Sequence, residues 1–251
     1  CGTGMTKEKK FSHEYFSEIE NKRYALEPCI KPFAQFNEYK NKNVLEVGVG
    51  AGTDFVNWLR YGAIASGIDL TDEAIENVKH RLNIECLQAK RLEKADAENL
   101  PFSDNEFDMV YSWGVIHHSP DTVKALEEIV RVTKPKGEIK IMIYNRYSVT
   151  AFWVWVRNCL LKGKFWKSIT YAVANYVESP GTKAYTKSEA KELFLSMPVK
   201  IISIENVLTW CDLGITSKSY AIRLFHRLLA WIGGGDRVGW FMLIKAIKKQ
   251  V

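Results

Sequence analysis

The sequence has few cysteine and histidine residues and no long apolar run. Its 251 residues contain five cysteines, an odd number, and no two of them form a C-x-x-C pair. Neither a zinc knuckle nor a disulfide framework is indicated, and reduced thiols favour a cytoplasmic protein. The apolar runs are too short for a transmembrane helix. We expect no signal peptide, because the residues that follow Met5 are polar and charged.

The excess of basic over acidic residues is small. The chain has 35 Lys and Arg against 29 Asp and Glu, a net charge of +6. This balance favours a mildly basic enzyme, since nucleic-acid binders concentrate their basic charge on one face. A content of 47% hydrophobic and 25% charged residues is enough for a real core. The length predicts one α/β domain, residues 1–251, that carries insertions.

Residues 44–54 form a glycine-rich stretch after an apolar run that predicts a buried parallel strand. Its glycines are Gly48, Gly50 and Gly52, and glycine lets a backbone approach a ligand closely. The dinucleotide fingerprint G-x-G-x-x-G is absent, because Thr53 stands where the third glycine would be. Glu46 lies inside the strand. A buried carboxylate is costly unless it meets a donor or a cation, such as the ammonium group of a ligand.

The second predicted strand, residues 63–70, ends in Asp69 and Leu70. A carboxylate about twenty residues after the first glycine can accept both hydroxyls of a ribose. The alternative role for Asp69 is the N-cap of the next helix. Thr71 is a better cap for that helix, with Ala74 at its N3 position. We therefore expect the Asp69 carboxylate to be free for a ligand.

The pattern E-x-G-x-G-x-G resembles motif I of the class I S-adenosylmethionine (SAM)-dependent methyltransferases, of the methyltransferase type 11 or UbiE-like kind. The resemblance implies a Rossmann-like, doubly wound α/β sheet of seven strands, whose last strand inserts antiparallel beside strand five. It also implies SAM as cofactor and S-adenosyl-L-homocysteine as product. Residues 92–102 resemble the family's adenine-binding loop, in which Asp96 accepts from the adenine amine and the Ala97 amide faces the ring.

Further residues follow from the same resemblance. The F-D-x-V-x-S pattern at 107–112 resembles the motif that precedes the methionine half of the cofactor site. An Arg-Tyr pair near the N-terminus often approaches the cofactor in this family, and Arg23 and Tyr24 match it by position. The implied cofactor-binding residues are Tyr24, Glu46, Gly48, Gly50, Gly52, Thr53, Asp69, Leu70, Asp96, Ala97, Ser112, Trp113, Gly114 and His117.

The candidate catalytic residues are His117, His118 and Tyr144. A general base is needed only if the methyl acceptor carries a proton at neutral pH. The alternative is that one histidine is structural and bonds to backbone. We expect no metal, because no partner Cys, His or Asp lies at ligand spacing from the histidine pair. The fifth predicted strand ends in Tyr144, Asn145 and Arg146, at the edge where such sheets bind substrate. These three are candidate substrate-site residues, and the alternative is that they are ordinary loop residues.

Three segments lie outside the minimal fold. Residues 11–40 predict an N-terminal helical lid, or else a helix packed on the sheet. Residues 149–180 and 209–235 predict helical insertions that form a substrate cap. Residues 149–177 are unusually aromatic and basic, so the alternative to a cap is a helix that contacts membrane lipid.

The sequence therefore predicts a cytoplasmic methyltransferase that acts on a small-molecule, lipid-like or natural-product or peptide acceptor, with peripheral membrane contact left open. One alternative is an RNA methyltransferase, but the sequence shows no N-P-P-Y-type motif and no appended RNA-binding domain, and we expect no nucleic-acid partner. Another is a NAD-linked Rossmann oxidoreductase, which Thr53 and the 92–102 loop disfavour. A non-enzymatic module that binds SAM is the third.

Overall fold

A computed structural model describes residues 6–215 and 217–250 of the chain. Its centre is one sheet of seven strands: β1 (Asn43–Val47), β2 (Ile64–Asp69), β3 (Arg91–Lys94), β4 (Phe107–Trp113), β5 (Thr133–Tyr144), β6 (Val199–Val207) and β7 (Phe241–Lys248). The strands lie in the order β3-β2-β1-β4-β5-β7-β6. The pairs from β3 to β5 are parallel, and β7 runs antiparallel between β5 and β6. The predicted doubly wound, Rossmann-like seven-stranded sheet is confirmed.

Ten α-helices connect or extend these strands within the described residues. They are α1 (His13–Leu26), α2 (Ile30–Ala34), α3 (Thr53–Arg60), α4 (Asp72–Glu85), α5 (Thr122–Val132), α6 (Val149–Asn158), α7 (Ile169–Tyr176), α8 (Lys187–Glu192), α9 (Tyr220–Gly233) and α10 (Gly235–Val238). The predicted N-cap of α4 is confirmed, since the Thr71 hydroxyl accepts from the Ala74 amide. The helix α8 begins with a capping box, in which the side chains of Thr186 and Glu189 accept from each other's backbone amides.

Two apolar cores cover the two faces of the sheet, because successive strand residues point to opposite faces. Val44 of β1 packs in the core that also holds Phe55 and Trp58 of α3. The next residue, Leu45, packs in the other core, beside α5. The helices α3 and α5 therefore hold β1 between them, and the loop after β1 emerges at the carboxyl edge of the sheet.

The helix α5 leads directly into β5. It ends at Val132, and β5 begins at once with Thr133. Residues 134–137 form a bulge within that strand. Phe107 pairs with Thr133 and Met109 pairs with Glu138, so β5 advances five residues while β4 advances two.

Across the described residues, every helix falls short of the length and apolar content that crossing a bilayer requires.

Candidate active site

A cavity of about 340 Å³ opens at the carboxyl edge of β1, β2 and β4. Its size is in the range of pockets that hold small ligands and cofactors. The predicted residues that line it are Glu46, Gly48, Gly50, Thr53, Asp69, Trp113 and Gly114. The other lining residues are Ile19, Arg23, Leu26, Glu27, Val49, Ala51, Asp54, Val115, Glu178 and Trp210.

The glycine loop after β1 forms one wall of this cavity. A Cβ placed on Gly50 would meet no atom within 4 Å, so this backbone faces open space. A Cβ on Gly48 would lie 2.1 Å from Val115, so the loop after β4 packs directly on it. Both residues have positive φ, which glycine adopts without strain. Gly52 does not line the cavity; it packs on Val78 of α4.

Asp69 is held in place at the end of β2. Its Oδ2 accepts from the Gly50 amide at 3.0 Å, and its Oδ1 accepts from the amide and the hydroxyl of Thr71 at 3.0 and 2.9 Å. The expectation of a free carboxylate was therefore wrong. A carboxylate can accept about four hydrogen bonds, so Asp69 keeps capacity for a ligand. The next residue, Leu70, is 65% exposed and does not line the cavity.

Glu46 is a buried carboxylate at the base of the cavity. Its Oε2 accepts from Trp58 Nε1 at 2.8 Å, a donor that lies twelve residues further along the chain. Burial raises the pKa of Glu46 well above its ordinary value, and the nearby Asp54 carboxylate raises the pKa further. One neutral donor thus leaves this group short of positive charge, and a cationic ligand would supply it.

Asp54 of α3 lines the cavity and binds two side chains of the first helix, α1. The sequence analysis did not select this residue. Asp54 accepts from Arg23 Nη2 at 2.8 Å and from the Tyr24 hydroxyl at 3.0 Å. Arg23 lines the cavity, and its buried Nε has no hydrogen-bond partner among the described residues. Tyr24 does not line the cavity and instead ties α1 to α3. The position of Asp54 directly after Thr53, in the first turn of α3, was the available signal.

Three further residues of the predicted cofactor site also lie away from the cavity lining. Asp96 is exposed, and its Oδ1 accepts from the Glu98 amide at 2.9 Å. Ala97 is buried in the core beside α5. Ser112 is buried in β4, and its hydroxyl has no hydrogen-bond partner among the described residues. Their cofactor contacts stay predictions.

The candidate catalytic residues cluster beside the cavity without lining it. The His117 ring is fully buried, with centroids 4.3 Å from His118 and 4.1 Å from Tyr144. Neither of its nitrogens has a hydrogen-bond partner among the described residues. Burial lowers the pKa of His117 far below its ordinary value, so the ring is neutral. Its catalytic role stays a prediction.

Glu178 connects this cluster to the cavity, which it lines. Its Oε1 accepts from the Tyr144 hydroxyl at 2.8 Å, and its Oε2 lies 3.0 Å from His118 Nε2. The other nitrogen of His118 lies 3.0 Å from the Ser179 hydroxyl. Sequence reasoning missed Glu178 because sixty residues separate it from His118 and no local motif marks the loop after α7.

His117, His118 and Glu178 could also approach a metal ion, since their ligand atoms lie within 4.8 Å of one another. The fold thus supplies a carboxylate where the sequence offered no partner at ligand spacing. Both oxygens of Glu178 nevertheless have partners in Tyr144 and His118. These hydrogen bonds satisfy the carboxylate without an ion, and the absence of a metal stays a prediction.

Asn145 and Arg146, two of the candidate substrate-site residues, bind other parts of the chain through their side chains. Asn145 Nδ2 donates to the carbonyls of Arg237 and Gly239, which positions the turn before β7. Arg146 pairs with Glu189 at 2.8 Å and so anchors α8. Neither residue lines the cavity. Their side chains stabilise the fold through these contacts instead.

The comparison with known families agrees with this geometry. Residues 45–141 match the family model described as a methyltransferase domain. Residues 45–141 are a class I SAM-dependent methyltransferase domain. The match extends from β1 into β5 and includes the glycine loop, Asp69 and the histidine pair. The family's cofactor is SAM. The G-x-G-x-x-G fingerprint of NAD-binding proteins is absent from residues 45–141.

Individual curated relatives match less than half of the chain. Phosphoethanolamine N-methyltransferase 2 of Caenorhabditis elegans is 31% identical over 119 residues, which are 47% of this chain and 27% of that protein. A phthiotriol/phenolphthiotriol dimycocerosates methyltransferase of Mycobacterium ulcerans is 37% identical over 102 residues, 40% of this chain and 36% of that protein. The chain thus covers less than half of the length of these curated relatives.

A solved structure extends the likeness of the methyltransferase fold to almost the whole chain. The SAM-dependent methyltransferase of Aquifex aeolicus superimposes with a TM-score of 0.58 over 95% of this chain and 99% of that one. The identity is 16%, so this likeness concerns the fold alone.

Proposed function

We propose that the protein is a SAM-dependent methyltransferase that methylates a small-molecule, lipid-like or natural-product or peptide acceptor. The observation that carries the proposal is the convergence of Glu46, Gly50 and Asp69 on one cavity at the carboxyl edge of the sheet. Ligands of doubly wound sheets bind at this edge. The family match of residues 45–141 supports the same activity.

The lining residues fit the two polar ends of the cofactor. Asp69, oriented by Gly50 and Thr71, would accept from the ribose hydroxyls. Glu46 would pair with the ammonium of the methionine part, which supplies the cation that the buried carboxylate lacks. Arg23 would donate through its unpartnered Nε to the carboxylate at the same end. The glycine loop leaves open space at Gly50 for the close approach of the nucleoside.

When bound, SAM supplies a methyl group on a positively charged sulfonium, and S-adenosylhomocysteine remains after the transfer. The chain itself would contribute positioning and exclusion of water. Trp113 and Trp210 contribute apolar surface to the cavity lining. Trp210 comes from the segment after β6, and Glu178 comes from the segment after α7. The insertions at 149–180 and 209–235 would therefore act as the substrate cap, and residues 11–40 would act as the lid.

Glu178, with His118 and Tyr144 behind it, would handle the proton of the acceptor. The hydrogen bond from His118 lowers the pKa of Glu178, so this carboxylate is ionised at neutral pH. An acceptor hydroxyl or ammonium in the cavity could donate to Glu178, and His118 lies 3.0 Å away to share the charge. His117 supports this arrangement by packing against both His118 and Tyr144. The base is required only for an acceptor that is protonated at neutral pH.

The names of the relatives indicate the range of acceptors. One is named for phosphoethanolamine and the other for a dimycocerosate lipid, and both are small polar or lipid molecules. We place this protein in the cytoplasm with a similar acceptor and with peripheral contact to membrane lipid. We propose no nucleic-acid partner, since the net charge of +6 is modest.

Calorimetric titration with S-adenosylhomocysteine tests the proposal. We expect saturable micromolar binding, and no binding of NADH. Asp69→Ala should weaken this binding by about 1–3 kcal/mol, roughly 5- to 150-fold in Kd, because charged hydrogen bonds to the ribose are lost. The matched control is Asp72→Ala, an exposed acid at the start of α4 that pairs with Lys94. Saturation by NADH, or equal affinities of the two variants, would contradict the proposal.

A further inference from the structure

The helical insertions expose an apolar surface to solvent. We define it by four large side chains of the segment between α6 and α7, and four of α9: Leu160, Leu161, Phe165, Trp166, Tyr220, Leu224, Leu228 and Trp231. All of them are exposed, and Trp231 is the most exposed at 80%. We call this set the insertion surface.

The pattern within α9 makes the exposure unusual. Tyr220, Leu224, Leu228 and Trp231 recur at spacings of four, four and three, so they form one stripe along the helix. In a helix that packs on a protein core, such a stripe faces inward. Here the buried side of α9 is formed by His226 and Ala230 instead, and the apolar stripe faces solvent.

The first half of the insertion surface follows directly after α6, and α6 packs against α9, which carries the second half. Trp153 of α6 lies 6.0 Å from Phe225 of α9, measured between ring centroids. An apolar cavity of about 290 Å³ opens between the same helices, with Phe152 and Ile232 among its lining residues. Both halves of the insertion surface are therefore attached to one packed pair of helices, α6 and α9.

The two segments that carry the insertion surface contain basic residues and no acidic ones. Residues 149–177 contain no Asp or Glu and include Arg157, Lys162, Lys164 and Lys167. Residues 213–235 likewise contain no acid and include Lys218, Arg223 and Arg227. Exposed aromatic and leucine side chains mixed with lysine and arginine suit the interface of an anionic membrane. The apolar groups enter the acyl boundary there, and the basic groups meet the headgroups.

We propose that the insertion surface binds the protein peripherally to anionic membrane lipid. The occupant is a bilayer because exposed apolar side chains and basic residues share these two segments, and neither segment contains an acid that would repel anionic headgroups. Asp212 bonds the Thr150 and Trp240 amides and so fixes the insertion to the end of the sheet. Trp210 lies two residues from Asp212 and lines the cofactor cavity. Binding would therefore bring the cavity close to lipid-borne acceptors, a consequence that rests on the proposed function.

Vesicle flotation tests this proposal with the full chain. We expect the protein to float with vesicles that contain phosphatidylglycerol and to bind far less to vesicles of phosphatidylcholine alone. Trp231→Ser should reduce the partition constant roughly tenfold, since a large apolar group no longer enters the interface. The matched control is Leu195→Ser, because Leu195 is 79% exposed and lies outside the insertion surface, between α8 and β6.

A second set of variants tests how much the basic residues contribute to membrane binding. Lys164→Ala with Arg227→Ala should weaken binding roughly fivefold for each charge removed. Lys200→Ala on the edge strand β6 serves as the control. Equal binding to both kinds of vesicle, no flotation at all, or flotation of Trp231→Ser equal to that of the unaltered protein would overturn the proposal. So would a dimer in solution that Trp231→Ser converts to a monomer, because the surface would then be a protein interface.

Titration of the same variants with S-adenosylhomocysteine separates the two proposals. Trp231→Ser should retain the affinity of the unaltered protein, since Trp231 does not line the cofactor cavity. Flotation without any binding of S-adenosylhomocysteine would contradict the proposed function and support the membrane surface. Binding of S-adenosylhomocysteine without flotation would support the proposed function and contradict the membrane surface.

Discussion

At the scale of single residues, Glu46 shows how a binding site can oppose the stability of the fold. The carboxylate is buried, and Trp58 is the donor that satisfies one of its oxygens. Burial raises the pKa of Glu46 well above the value of an exposed glutamate. The folded protein therefore binds a proton that the unfolded chain releases more readily. A position that destabilises the empty protein in this way is a common property of functional sites.

Glu46→Gln should stabilise the protein in the absence of ligand. A raised folded-state pKa means that the folded form loses stability as pH rises from about 4.5, the unfolded value, to the folded pKa. The loss is about 1.4 kcal/mol for each unit of the shift. Glutamine does not titrate, so the advantage of the variant should be small near pH 4.5 and grow with pH. Urea unfolding at about pH 5 and about pH 8 measures it.

The same variant should bind S-adenosylhomocysteine more weakly, because the ammonium loses its counter-charge. Glu106→Gln is the control, a less buried glutamate outside the cavity. An advantage that stays constant between the two pH values would exclude the raised pKa. An unchanged affinity would exclude Glu46 from the ammonium site.

At the scale of elements, α1 is coupled to the sheet through one carboxylate. Asp54 at the start of α3 accepts from Arg23 and Tyr24 of α1 and from Tyr111 of β4. The Tyr24 hydroxyl also accepts from Asn57 at 2.8 Å. Arg23, on the same helix, lines the cavity. The position of α1 therefore decides whether this guanidinium can meet a ligand, which is what a lid requires.

Tyr24→Phe should loosen α1 with little change in packing. The lost hydroxyl leaves Asp54 with two other donors, and Asn57 keeps the Thr53 carbonyl as a partner. We expect a loss of about 1 kcal/mol in the free energy of unfolding, and weaker binding of S-adenosylhomocysteine. Calorimetry and urea unfolding measure the two effects, with the exposed Tyr61→Phe as control. Lower stability with full affinity would identify α1 as a packed helix rather than a lid.

At the scale of the whole molecule, the site is assembled from distant parts of the chain. The cavity takes residues from α1, the ends of β1, β2 and β4, the loop after α7 and the segment after β6. The parallel order of β2, β1, β4 and β5 brings their carboxyl ends to one edge. The antiparallel β7 then brings the chain back beside Tyr144, where Trp240 stacks on its ring at 4.1 Å.

The cluster of His117, His118 and Glu178 yields a prediction at this scale. Because Glu178 is already bonded by His118 and Tyr144, methyl transfer should proceed without a metal ion. Dialysis against EDTA should leave the binding of S-adenosylhomocysteine and the transfer rate unchanged. The control is the same dialysis followed by addition of Zn²⁺ or Mn²⁺. A rate that falls on dialysis and returns with the ion would show that the cluster holds a metal.

The sequence by itself determined the sheet, the glycine loop, Glu46 and Asp69, because these features depend on local patterns of apolar residues, glycine and cap residues. Even there it missed that Gly50 and Thr71 hold the Asp69 carboxylate. Only the tertiary structure decided the roles of Asp54, Glu178 and Trp210, since each depends on partners far away in the chain. It also decided that the apolar stripe of α9 faces solvent. Helical periodicity fixes which residues share a face, but the packing of neighbouring elements fixes whether that face is covered.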